Sequence, residues 1–312
     1  MFSFATRAAA LPDRNGHKTG RDAMAGTRFP QRLTTIGMLI VGGLLLLSGC
    51  ASRVILPVVR PVLENLNQQS DLELVCEGAP SFLLMIDSLV AADPENPRLL
   101  LSATQAHASQ ATIMPECGRP GRANAFATKA RQYGLRLLAR HPGLAHAAEL
   151  PASAFNETLL APVPVPVLFW SATAWATWIG QQQGAPDAMA DLPKVEQLML
   201  AVLRRDEGFH QGGAHIFLGI YHGARPAVLG GKPELARAHF ERALTLGHRR
   251  FLPGLVAYAE HYAKATLDRD LFVSLLNEVL AFDLTAAPKL TLANQAAKRR
   301  ANRLLERVDE YF

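Results

Sequence analysis

The side chains with chemistry to offer are three cysteines, a run of histidines and a cluster of aromatic residues. Cys50 follows Leu47-Ser48-Gly49, behind Arg28, Arg32 and a 12-residue apolar run from Ile36 to Leu47. Basic residues, an apolar run too short to span a bilayer, and small residues ahead of a cysteine make an export signal whose cysteine thiol is lipidated. Cys50 is therefore the expected lipid (palmitate-bearing) site, with residues 1–49 removed and residues 50–70 forming a tether. Residues 1–23 are polar, and Met24 is the expected start of translation. Ala51 and Ser52 lack the aspartate that retains lipoproteins in the inner membrane, which places the protein on the periplasmic face of the outer membrane.

Two cysteines remain, Cys76 and Cys117. An oxidising compartment permits a bridge between them, and two buried, inert thiols suit the sequence equally well. His210, His215, His222 and His239 lie close in sequence, and His215 and His222, seven apart, share a helix face. A metal site would want an i, i+4 pair or an adjacent carboxylate; the local sequence offers neither, so these read as core or interface histidines. Phe169, Trp170, Trp175 and Trp178 do not fall on one narrow helical stripe. One side of that group is expected to pack while the other meets a partner or lines a cavity, with His215 and Tyr221 as further contact residues.

Enzymatic signals are missing. The chain has no His-Glu-x-x-His, no Gly-x-Ser-x-Gly and no phosphate-binding loop after a strand. Gly230-Gly231-Lys232 reads as a turn ahead of a helix opening at Pro233. No catalytic residue, cofactor or metal is expected. Charge excludes another class. The formal net charge is +5, but residues 1–49 hold six Lys+Arg against two Asp+Glu, leaving about +1 for the rest. Without a concentrated basic surface, nucleic acid is not an expected partner.

The elements that would position these residues are helices. After Cys50, alternating β-branched runs and Asn-Gly or Asp-Gly turns are missing, whereas periods of three and four recur throughout. Pro80 to Ala92 predicts a helix with Leu83, Leu84, Ile86, Leu89 and Val90 on its apolar stripe. Asn96 is expected to cap the next helix, with Pro97 at its first position. Further helices are expected at 122–140, 167–181, 192–205, 213–223, 233–245, 253–265, 269–282 and 290–311. Pro142 to Pro166 reads as a Pro- and Ala-rich loop insertion.

Similar helix ends recur at positions 93, 141, 206, 247 and 283, separated by 48, 65, 41 and 36 residues. Recurrence at that interval marks stacked helical hairpins. One repeat approaches the tetratricopeptide pattern, with Leu218-Gly219 and Tyr221 on a first helix and Ala236, Phe240 and Ala243 on a second. The expected fold is all-α, a tetratricopeptide-like helical-hairpin solenoid over residues 71–312.

The chain resembles the T-component lipoproteins (TatT) associated with TRAP-type transporters, over about residues 47–312. The resemblance is carried by Asp71-Leu-Glu-Leu-Val, Glu77-Gly-Ala-Pro-Ser-Phe-Leu-Leu-Met-Ile-Asp87 and Asp93-Pro-Glu-Asn-Pro97. It continues in Leu168-Phe-Trp-Ser-Ala-Thr-Ala-Trp-Ala-Thr-Trp178 and Gly212-Gly-Ala-His-Ile-Phe-Leu-Gly-Ile-Tyr221. Leu229-Gly-Gly-Lys-Pro-Glu-Leu-Ala-Arg-Ala-His-Phe240 and Asp309-Glu-Tyr-Phe312 complete it. The resemblance implies a homotrimer, a periplasmic TRAP-type solute-binding protein as partner, and apolar organic acids as cargo passing through a pore or cavity. The 142–166 insertion and the Cys76/Cys117 pair depart from the family pattern. A general tetratricopeptide adaptor for envelope or outer-membrane assembly is the alternative reading.

Overall fold

The computed structural model describes residues 61–224 and 230–312. The expectations for residues 1–49, for Cys50 and most of the tether, and for the connection at 225–229 lie outside the described residues. Among the described residues every regular element is helical.

Helix α1 spans Leu72–Ala92 and starts eight residues ahead of the expected Pro80. Asp71 caps it, its side chain accepting from the Leu74 N–H at 3.0 Å. Buried Leu72, Val75, Cys76 and Ala79 hold the first two turns, so packing outweighs the hydrogen bond that Pro80 cannot donate. The apolar stripe is narrower than expected: Leu83, Ile86 and Val90 are buried, but Leu84 is 65% exposed. Helix α2, Pro97–Ile113, opens as expected, with the Asn96 side chain accepting from the Arg98 and Leu99 N–H groups. Helix α3 follows at Ala123–Ala139.

The 142–166 segment is not a loose loop. It holds a 3-10 turn at Ala152–Ala154 and helix α4 at Glu157–Leu160. Leu144, Phe155, Leu160 and Val163 along it are each at most 1% exposed. Its prolines suppress long helix while its apolar residues still fill the core.

The remaining helices are α5 (Val165–Gly180), α6 (Pro186–Met189), α7 (Leu192–Arg205) and α8 (Phe209–Gly223). They are followed by α9 (Pro233–Leu246), α10 (Leu252–Tyr258) with a π-helical extension at Ala259–Ala263, and α11 (Arg269–Ala281). Helix α12 (Thr291–Glu306) and the short α13 (Val308–Tyr311) replace the single expected helix at 290–311.

Long helices adjacent in sequence pack on one another, and next-but-one contacts join α2 to α5, α8 to α10 and α10 to α12. Small residues set the spacing. Ala108, Ala130 and Ala174 from α2, α3 and α5 meet in one cluster. A Cβ on Gly134 of α3 would stand 3.2 Å from the Ser171 backbone, and one on Gly219 of α8 would stand 2.8 Å from the Phe240 ring.

The last long helix returns to the first. Leu292 of α12 packs with Leu72, Val75, Cys76 and Ile113. Arg299 donates to Glu73 at 2.6 Å and to the Glu116 carbonyl at 2.9 Å. Arg303 pairs with the Glu116 carboxylate at 2.7 Å, and Glu116 is only 4% exposed. Beside it Cys76 and Cys117 are bridged, their Cα atoms 5.7 Å apart, which ties the Glu116 turn to α1.

Removing one partner from a buried ion pair leaves an uncompensated charge, at a cost of about 3–5 kcal/mol. Arg300 lies 3.8 Å from the same carboxylate and takes up part of the charge. Glu116 is the buried member and Arg303 is 44% exposed, so Arg303→Met should destabilise by about 1–3 kcal/mol in urea unfolding, the cost of leaving a buried group unsatisfied. Adding Glu116→Gln should recover most of that loss. Equal effects of the single and double variants would contradict the assignment.

Candidate functional site

The expected contact residues fall into three places rather than one. Phe169 and Trp170, on α5, enter an aromatic cluster with Phe209, His210 and Phe251. The Phe169 ring centroid lies 5.2 Å from those of Trp170, Phe209 and His210. His210 lies 4.8 Å from Trp170 and 5.6 Å from Phe251. Phe169 is 3% exposed and Trp170 half-buried, so only Trp170 of this pair keeps a face to offer. A Cβ on Gly213 would stand 2.6 Å from the Phe169 ring, so glycine there admits α8 against α5. His210, Gln211 and Gly212 all take left-handed backbone, with φ of 50, 60 and 73°. Regular helix in α8 thus begins at Gly213, where the sequence places it. Non-glycine residues hold that conformation only when surrounding packing enforces it. Here the aromatic cluster supplies the packing.

Trp175 corrects the expectation of a contact residue. It is 1% exposed, and its Nε1–H donates to Asp191 Oδ2 at 2.9 Å. Asp191 also pairs with Lys194 at 2.8 Å, and Lys194 donates to the Ala148 carbonyl at 2.6 Å. A large indole with a satisfied N–H is a core element. Trp178, one turn on, stays half-buried with the Arg131 guanidinium 4.1 Å above its ring. Its outer face is the strongest contact candidate on α5.

The third place is the α8–α9 hairpin. His215 Nδ1 and His239 Nδ1 lie 2.8 Å apart, so one nitrogen carries the proton and the other accepts it. His222 stacks on His239 at 5.8 Å, and Tyr221, half-buried, stacks on Phe217 at 6.0 Å and meets His222 edge-on. His215 Nε2 faces Glu207 at 3.5 Å, and Arg242 pairs with the same carboxylate. A carboxylate does adjoin the histidines, then, but it comes from the turn before α8, outside the helical spacing inspected in the sequence. Among the described residues no three ligating side chains converge on a metal position. Burial, reinforced by His215 and His222, lowers the His239 pKa to about 4. Burial also lowers that of His215, against the pull of Glu207.

One charged cluster was not singled out in the sequence. Asp87 of α1 accepts from the Tyr133 hydroxyl at 2.7 Å and from Lys129, and lies 2.8 Å from His107 Nε2. His107 is 1% exposed. Burial pushes the Asp87 carboxyl up, but the hydrogen bonds from Lys129, Tyr133 and His107 outweigh it and hold it below the usual carboxylate range. Burial lowers the His107 pKa against the pull of Asp87, and together burial and Asp87 raise that of Tyr133. The sequence separations of 20, 42 and 46 residues hid this tetrad. It cross-links α1, α2 and α3.

The arrangement is thus one of packed polar clusters and partly buried aromatic side chains. The model of the TRAP transporter T-component family matches residues 68–312. The chain belongs to that family of transport components. No curated protein matches the chain.

Two predictions follow from the clusters. A histidine whose folded pKa is depressed stabilises the fold above its unfolded pKa of about 6.5 and loses that contribution as pH falls toward the folded value. Stability should fall between pH 6.5 and 4, and His239→Gln should flatten that fall in thermal melts; an unaltered pH profile would refute the assignment. Trp175→Ala should cost about 3–5 kcal/mol in urea unfolding, as for other buried aromatic truncations, and a loss below about 1 kcal/mol would show that the site is not core.

Proposed function

We propose that the protein is a non-enzymatic, lipid-anchored helper of a TRAP-type uptake system. It acts on the periplasmic face of the outer membrane, where acylated Cys50 tethers a trimer that docks a periplasmic TRAP-type solute-binding protein. The observation that carries this reading is the family match across residues 68–312. The mechanism is scaffolding, with apolar organic acids handed between the partners through a cavity or pore.

The reading of the fold as a tetratricopeptide-like solenoid is part of the proposal. It is supported by α8 and α9, which pair through Gly219 and Phe240, and by the next-but-one contacts of α8 with α10 and α10 with α12. A first helix that touches its own hairpin partner and the first helix of the next pair is the contact rule of stacked hairpins. The return of α12 to α1 adds a closure that nearest-neighbour stacking does not require.

Attachment follows from acyl burial at about 0.8 kcal/mol per CH₂, so more than one chain gives lasting residence. Docking needs exposed aromatic area near a charged rim, and Trp170, Trp178 and Tyr221 are each only partly buried. Trp178→Ala should weaken binding to the solute-binding protein about 10-fold or more in titration calorimetry, while shifting the melting temperature by only a few degrees. Unchanged affinity would remove Trp178 from the docking surface. Failure of the wild-type chain to bind every TRAP-type solute-binding protein of its cell would contradict the proposal itself.

A further inference from the structure

Helix α1 has an outer face that no other described element covers. Of the seven most exposed large apolar side chains, three lie on it: Leu74 at 56%, Leu84 at 65% and Met85 at 41%. The others are scattered over separate elements. From Gly78 to Ala92 the exposed positions are Gly78, Ser81, Leu84, Met85, Ser88, Ala91 and Ala92, without a charge for four turns. At 100° per residue, Leu74, Gly78, Ser81, Met85, Ser88 and Ala92 form one line, with Leu84 beside it. The acidic residues of α1 do not interrupt that line beyond its start. Asp87 is turned to His107, Lys129 and Tyr133, and Glu73 pairs with Arg299; Glu77, exposed between Leu74 and Leu84, leaves the face uncharged from Gly78 onward.

The helix is apolar enough, by length and composition, to pass for a membrane span, its best window averaging a hydropathy of 1.6 with 33% of that window buried. It is no span, because Leu72, Val75, Leu83, Ile86 and Val90 are buried against the protein. What remains is a half-buried helix with one wetted apolar face. Its place in the chain supplies the occupant. Between Cys50 and the described residues at 61 there are eleven peptide steps, reaching at most about 40 Å when fully extended. Helix α1 begins another eleven residues on.

We propose that α1 lies along the bilayer surface, its Leu74, Leu84 and Met85 side chains entering the acyl boundary as a second membrane contact beside the lipid on Cys50. The inference rests on the lipid-anchor reading. Exposed apolar side chains on an otherwise packed helix bind an interface weakly alone, and a short tether makes the contact effectively intramolecular. The face carries no lysine or arginine, so the contact is with uncharged acyl boundary rather than with anionic headgroups. Two attachment points fix the orientation of the protein on the membrane, where a lipid alone would let it swivel.

The test uses the acylated full chain on zwitterionic phosphatidylcholine–phosphatidylethanolamine vesicles. Ser81→Cys introduces one reactive thiol, Cys76 and Cys117 being bridged, and takes an environment-sensitive fluorophore; Asp270→Cys, exposed on α11, serves as the aqueous control. The expected result is quenching of the label at position 81 by nitroxide lipids at least several-fold above the control, lost in the Leu84→Glu/Met85→Glu variant, which stays vesicle-bound and folded. Three results would overturn the proposal: a vesicle-bound chain whose label at 81 remains as aqueous as the control, a label shielded without lipid quenching as the particle mass doubles or triples, or a label already shielded before vesicles are added. A chain that carries no acyl group by mass and does not bind vesicles fails the anchor reading instead, and the proposal with it.

Discussion

Helix α8 comes nearest to its neighbours where it has no side chain. It meets α5, α7, α9 and α10, and at its closest contacts it presents glycine: Gly213 under Phe169, Gly219 under Phe240, Gly223 against the His261 carbonyl. A methyl at Gly223 would stand 2.4 Å from that carbonyl oxygen, far inside contact distance. An all-helical chain gains its stability by burying one stripe against another, and the gain depends on close approach. Helix α8 serves both of the largest cores, giving Ala214 and Phe217 to one and Ile216 and Ile220 to the other.

That constraint orders the rest. His215 and His222 are buried in the α8–α9 hairpin, while Tyr221 and Trp178 stand partly buried at its side and on α5. Carboxylates caught inside are paired: Asp87 with His107, Lys129 and Tyr133; Asp191 with Trp175 and Lys194; Glu116 with Arg303. The Glu116 cluster has the longest reach, because it closes α12 on α1 beside the Cys76–Cys117 bridge. The disulfide holds the turn that presents Glu116, and the arginines of α12 hold the carboxylate.

Much of this was legible in the sequence because it is local. Asn96-Pro97 caps α2, α7 spans 192–205 as expected, and the glycine before Ala214 marks where α8 becomes regular. Three features were not. Pro80 reads as a helix start, yet the Asp71 cap and four buried side chains carry the helix through it. The 142–166 segment reads as a loop because its prolines mask an apolar set that matters only once a core exists to receive it. Trp175 reads like Trp178, and only a partner sixteen residues away, Asp191, separates the buried indole from the half-open one. The Asp87 tetrad and Glu207 were hidden for the same reason: their partners are set by tertiary contact, which spacing along one helix does not encode.

The central claim is that this member of the TRAP transporter T-component family holds a solute-binding partner at a membrane. Affinity purification of the full chain from detergent-solubilised membranes of its own cell, with partners and the N-terminal peptide identified by mass, tests it most directly. The account predicts a TRAP-type solute-binding protein in near-stoichiometric amount, together with an acylated peptide beginning at Cys50. Recovery of β-barrel or peptidoglycan-associated proteins alone, with no solute-binding protein, would contradict it and favour a general envelope adaptor.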